Sequence, residues 1–167
     1  ILADDGAPVP DLTPLLLPAA LCNDSQVNND QLIGDPTEGA LLVLATKSGM
    51  DCAEARRHLP RIAEIPFDAT HKFMATFHHA LHHDGYQVHI FVKGAPDVLL
   101  QHCTTIAERD SIEPLSETLQ QHLHQQNEDL AKRGLRVLAI ASRTLPAHDV
   151  DPAGNLFDTL QELTFIG

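Results

Sequence analysis

Two strand-like segments, Lys72 to His79 and Tyr86 to Lys93, flank the turn-like His82-His83-Asp84-Gly85, and this arrangement constrains the fold more than any other feature of the chain. Rich in apolar and β-branched residues and separated by a polar tetrapeptide ending in Gly, they read as an antiparallel hairpin. Period-2 alternation places Tyr86, Val88, Ile90 and Val92 on one face, with Phe91 and Lys93 on the other. Lys93 then ends a strand where its ammonium looks outward.

Further elements surround the hairpin. Arg61 to Phe67 reads as a strand, as does Leu135 to Arg143, and Thr164 to Gly167 begins another. Pro- and Asp-rich residues up to Asp11 form a connector before a helix from Thr13 to Asn23, which Pro18 is expected to bend. A polar loop to Asp30 and a short strand, Gln31 to Gly34, follow. Asp35, Pro36 and Glu38 then occupy the N-cap, first-turn and N3 positions of a helix ending near Gly49. Ala95 to His102 is helical. Leu115, Leu119, Leu123 and Leu130 mark one stripe of a longer helix, ended by Lys132, Arg133 and Gly134.

A length of 167 residues suits one domain spanning residues 1–167. The net charge of -12 excludes nucleic acid as a partner held by a broad basic surface, yet leaves room for a local anion site. The three cysteines, Cys22, Cys52 and Cys103, lie far apart with no C-x-x-C pair, so a reducing setting fits best. No apolar run approaches the roughly 20 residues of a membrane span. Beginning at Ile1 without a leader pattern, the sequence reads as an internal piece of a longer protein.

Four segments carry the candidate chemistry: GDPTEGA with Glu38, PFDATHKFM with Phe67 and Lys72, VKGAPD with Lys93, and RGLRVLA with Arg136. Glu38 either closes a capping box with Asp35 or accepts a hydrogen bond from an exocyclic amino group such as adenine's. Phe67, between Pro66 and Asp68, leaves its strand where the backbone turns toward solvent; it either stacks on a base or joins the core. Lys93, Gly94 and Ala95 precede Pro96 at a strand-to-helix corner, where Gly permits close approach of a ligand. Lys72 and Arg136 each open a strand and are either phosphate-binding or ordinary surface cations.

There is no P-loop, no G-x-G-x-x-G, no G-x-S-x-G and no H-E-x-x-H. A nucleotide held without a phosphate cradle is gripped by its base and sugar, leaving the far phosphates exposed. Five histidines, His78, His79, His82, His83 and His89, surround the hairpin and offer an alternative: a metal-binding or interaction module without catalysis.

Taken together and in order, GDPTEGALL, EIPFDATHKFMAT, FVKGAPDVLL and RGLRVLAIASRTL resemble the nucleotide-binding domain of P-type cation-transporting ATPases, in the calcium, sodium and proton pump branch. ELTFIG resembles the return strand toward the phosphorylation domain. The resemblance runs from about Leu15 to Gly167. It implies an α+β fold, a twisted, mainly antiparallel sheet flanked by helices, that binds ATP with Mg2+ on the cytoplasmic side of a membrane. It further implies that Glu38 contacts the adenine amino group, Phe67 stacks on the ring, and Lys93, Gly94 and Ala95 line the cleft. Lys72 and Met74 reach the nucleotide, Arg136 approaches the phosphates and Leu138 packs near the base.

Ala69 and His71 stand where arginines occur in the family, which implies thinner phosphate contacts. The Asp-Lys-Thr-Gly phosphorylation motif is absent from the chain, so no catalytic residue is expected in it. Its implied partners are a phosphorylation domain and a transmembrane domain of the same parent chain. The His-Pro dipeptide of heavy-metal pumps is absent.

Overall fold

A computed structural model of the chain describes residues 11–28, 31–83, 85–108 and 111–167. The expected connector up to Asp11 lies almost wholly outside these residues, as do Asn29 and Asp30 of the polar loop and Asp84 of the hairpin turn.

In chain order the elements are α1 (Thr13–Leu21), β1 (Gln26–Asn28), β2 (Gln31–Ile33), α2 (Pro36–Lys47), α3 (Cys52–His58), β3 (Arg61–Ile65), β4 (Phe73–His82) and β5 (Gly85–Gly94). They continue with α4 (Pro96–His102), β6 (Cys103–Glu108), β7 (Ser111–Pro114), α5 (Glu117–Lys132), β8 (Ala139–Pro146) and β9 (Leu163–Phe165). The main sheet has seven strands in the order β3-β4-β5-β8-β9-β6-β7. Its neighbours are antiparallel except for β6 and β9. β1 and β2 pair separately. This is the expected α+β architecture.

The β4–β5 hairpin is its spine, running in unbroken register from Phe73↔Gly94 to His82↔Gly85. Helices cover both of its faces, which is why its strands are apolar on both sides. Phe73, Ala75 and Phe77 of β4 and Val88, Ile90 and Val92 of β5 share a core with Leu99 and Leu100 of α4, with Leu119 and Leu123 of α5 packed against it. On the opposite face Met74 and Phe91 meet Leu21 and Cys22 at the end of α1, and Leu59 beyond α3 packs there too. A further layer joins Leu16 and Ala20 of α1 to Leu42 and Ala45 of α2.

Burial dictates the chemistry of several polar groups in this core. His78 is held between the Leu59 carbonyl, 2.8 Å from Nδ1, and the Thr76 hydroxyl, 2.9 Å from Nε2. Desolvation pushes its pKa down to about 4, so the ring is neutral. The same effect pushes the thiol of Cys22 up to about 11 and that of Cys103 up to about 12.

Several boundaries differ from the sequence expectation. β8 begins at Ala139 rather than Leu135, because its partner β5 ends at Gly94, paired with Ala139, and residues 135–138 have no strand beside them. Arg136 and Leu138 thus sit on an irregular segment. β3 stops at Ile65, and Lys72 precedes β4 in a left-handed turn with φ of 57° rather than opening the strand. β1, which falls within the expected polar loop, and α3, β6 and β7 depart from the sequence expectation. A signal for α3 existed, since Asp51 caps it by accepting the amide of Glu54 at 2.9 Å. Among the described residues no helix is long and apolar enough to cross a membrane.

Candidate functional site

The start of α2, the exit of β3, the turn before β4, the end of β5 and the segment before β8 converge on an open cavity of about 580 Å³. That volume lies within the usual range for small-molecule sites. Glu38, Phe67, Lys72, Lys93, Gly94, Ala95, Arg136 and Leu138 line it, with Asp35, Thr37 and Val137. Eight of the nine residues singled out from sequence therefore surround one space, though they span 101 positions of the chain.

Met74 is the exception. It faces the core at 1% exposure, packed with Leu21, Cys22 and Phe91, because it is the cross-strand partner of Lys93 on the covered side of the hairpin. Its place is beneath the cavity rather than in it.

α2 starts as its sequence dictates: the Asp35 carboxylate accepts the amides of Thr37 at 2.8 Å and Glu38 at 3.2 Å. Those amides, Glu38's foremost, hold the Asp35 pKa below its ordinary value. Glu38 does not complete a capping box. Its Oε2 reaches back to the turn before β1, accepting the amides of Asp24 and Ser25, each at 3.0 Å, and the Ser25 hydroxyl at 3.2 Å. Its Oε1 meets the Lys93 ammonium. Lys93 is consequently 6% exposed, and the expectation that it looks outward is corrected: it points into the cleft wall, where Glu38 neutralises it.

Gly94 also has a reason that the sequence hid. A Cβ there would stand 2.5 Å from the Lys72 carbonyl oxygen and 2.6 Å from the Phe73 Cβ, so hairpin packing by itself requires the missing side chain. The amide of Ala95 donates to that same Lys72 carbonyl at 3.0 Å, fixing the cavity floor to the turn.

Phe67 is 62% exposed on the cavity wall, an aromatic face with no core to join. Lys72 and Arg136 are both exposed; the Arg136 guanidinium donates to the Thr37 hydroxyl at 3.3 Å, linking the segment before β8 to α2. The cavity thus offers an aromatic plane, apolar walls from Val137 and Leu138, an anchored carboxylate and two exposed cations. A planar, amino-bearing ring with an anionic tail matches that set.

The histidines of the hairpin are dispersed. His78 is in the core, His79 stacks on Tyr86 with centroids 4.8 Å apart, and the His82 and His89 Nε2 atoms approach to 3.4 Å. Among the described residues no group of three or more His, Cys, Asp or Glu side chains is placed to hold a metal ion.

The family model described as P-type ATPase, cytoplasmic domain N, matches residues 11–167. A cation-transporting ATPase, pma1, of Synechocystis sp. is 39% identical over 148 residues, 86% of this chain and 16% of the relative. A calcium-transporting ATPase of Lactococcus lactis is 40% identical over 128 residues, covering 76% of this chain and 14% of the relative. A calcium-transporting ATPase type 2C member 1 of Bos taurus is 34% identical over 134 residues, 80% of this chain and 14% of the relative. The chain spans about one-sixth of the length of these relatives or slightly less.

Proposed function

Because the chain belongs to the family of the P-type ATPase cytoplasmic domain N, we propose that its cavity binds ATP for a cation pump of which it forms one domain. The observation that carries this reading is the 62% exposed Phe67 ring on the wall of the cavity that also holds the Glu38–Lys93 pair. Adenine stacks on that ring, a contact worth roughly 1–3 kcal/mol per base. Its amino group donates to Glu38, and Val137 and Leu138 close on the base. Lys72 and Arg136 meet the phosphates at the mouth. Mg2+ travels with the triphosphate, a reading supported by the described residues, which place no group of three or more His, Cys, Asp or Glu side chains to hold a metal ion.

Among the described residues that line the cavity none cradles the γ-phosphate, so it projects outward. An aspartate oxygen in a separate phosphorylation domain attacks its phosphorus as the bond to the β–γ bridging oxygen breaks, leaving ADP. This domain contributes position and charge rather than a reacting group. Transport follows in a transmembrane domain of the parent chain, with this domain on the cytoplasmic side. By itself the domain binds nucleotide weakly and hydrolyses none.

The test is calorimetric titration with ATP, ADP and AMP. Affinities within a few-fold of one another are expected, and absence of binding at millimolar nucleotide refutes the reading.

A further inference from the structure

Glu38 is held by a structure that lies outside the cavity. The turn Asn23-Asp24-Ser25 is almost completely buried at its two ends, with Asn23 at 2% and Ser25 at 0% exposure. Asn23 Nδ2 donates to the Glu38 carbonyl at 2.9 Å and the Ala19 carbonyl at 3.3 Å, while its Oδ1 accepts the Ser25 amide at 2.9 Å. The arginines of α3 and β3 clasp the other side: Arg56 donates to the Asn23 and Ser25 carbonyls at 3.3 and 3.2 Å, and Arg61 to the Leu21 and Asn23 carbonyls at 3.0 Å. The Asn23 and Ser25 carbonyls are thereby occupied, and the Asp24 amide and the Ser25 amide shared with Asn23 Oδ1 face Glu38.

The resulting carboxylate is nearly saturated. A carboxylate offers about four acceptor directions, two per oxygen. Oε2 receives the Asp24 amide, the Ser25 amide, which it shares with Asn23 Oδ1, and the Ser25 hydroxyl, whose single proton is shared with the Asp35 carbonyl at 3.2 Å; Oε1 receives Lys93. One acceptor direction is left, on Oε1, and no donor. A carboxylate free to rotate would adapt to either a donor or, through water, an acceptor on the ligand. One pinned in this way accepts an N–H and repels a carbonyl.

We infer that Ser25, at the buried C-terminal end of the Asn23–Ser25 turn, is a positioning residue that fixes the Glu38 carboxylate and so makes the cavity select a 6-aminopurine over a 6-oxopurine. The inference rests on the nucleotide reading above. Gly34 is part of the same device: with φ of 123°, its missing Cβ would lie 2.3 Å from Ser25 Oγ, so a side chain there drives the hydroxyl off its seat.

The experiment compares ATP with GTP by calorimetry on the 167-residue chain, its Ser25→Ala and Gly34→Ala variants, and Phe67→Ala. Wild type is expected to favour ATP by at least about tenfold. Ser25→Ala lowers that preference to about threefold or less, chiefly by weakening ATP, and Gly34→Ala reproduces the change. Phe67→Ala weakens both nucleotides and keeps their ratio, because stacking does not distinguish the two purines. An undiminished ratio in folded Ser25→Ala overturns the inference while leaving nucleotide binding intact; a wild type that binds neither nucleotide overturns the nucleotide reading itself. Amide exchange adds a test without ligand or variant of the turn. Slow exchange at Asp24 and Ser25 that Glu38→Ala accelerates supports the pinning, and fast exchange in wild type refutes it.

Discussion

The Lys93 ammonium and the Glu38 carboxylate form an ion pair across 55 residues of sequence, joining the end of β5 to the first turn of α2 with side-chain exposures of only 8% and 16%. Both charges are largely out of water, so each depends on the other and on the hydrogen bonds that Glu38 receives from the turn before β1. The pair holds the two walls of the cavity together.

Lys93→Met therefore leaves the largely desolvated Glu38 carboxylate without its counter-charge, and about 3 kcal/mol of stability is expected to be lost. Glu38→Gln strands the ammonium and costs a similar amount. A urea-denaturation double-mutant cycle reads the coupling directly. Additive losses in the double variant, with coupling under about 0.5 kcal/mol, are incompatible with the pair described here.

Phe67→Ala separates binding from folding. The ring is mostly exposed, so its removal is expected to change stability by no more than about 0.5 kcal/mol. ATP affinity falls by about tenfold or more if the ring carries the base, and Lys72→Ala costs less than that. Titrations of both variants decide the order, and a larger loss for Lys72→Ala assigns the grip to phosphate instead.

Gly94→Ala places a methyl group against the Lys72 carbonyl and the Phe73 side chain. The hairpin must shift to accept it, at a cost of about 1–3 kcal/mol. Gly85, where an added Cβ meets nothing within 4 Å, is the control: its φ of 115° makes alanine strained there, but nothing is displaced. Thermal melts of both variants, with ATP titration of each, are expected to show the floor of the cavity disturbed only by Gly94→Ala.

His78 gives stability a pH dependence of known sign. Its folded pKa is about 4 against about 6.5 unfolded, so between these values the unfolded chain binds a proton that the folded chain refuses. Its contribution is fully present above about pH 6.5 and declines as pH falls toward 4, by at most roughly 3 kcal/mol. Denaturant unfolding at pH 7 and pH 4.5 is expected to show a drop that His78→Asn reduces. An equal drop in the variant places the effect elsewhere.

Much of the fold was legible because its signals are local. The hairpin follows from alternation on either side of its turn, α2 from Asp35 and Pro36, and the end of α5 from Gly134, whose φ of 76° needs a residue without a side chain. Elements with weaker patterns escaped. β6 and β7 carry too little alternation to announce themselves, and β6 joins the sheet by a parallel pairing with β9, some 60 residues later. Nor could the sequence show where β8 begins, since that depends on where its partner ends.

The residues that line the cavity were contained in four short segments, and the sequence by itself determined which side chains were available: an aromatic, a carboxylate and three cations. Only the tertiary structure decided their states. It turned Lys93 inward to neutralise Glu38, sent Met74 to the core, set Gly94 tight against the turn before β4 and left Phe67 bare. The physical reason is that local pattern fixes backbone conformation and face, whereas charge pairing and burial depend on partners that chain folding brings from tens of residues away.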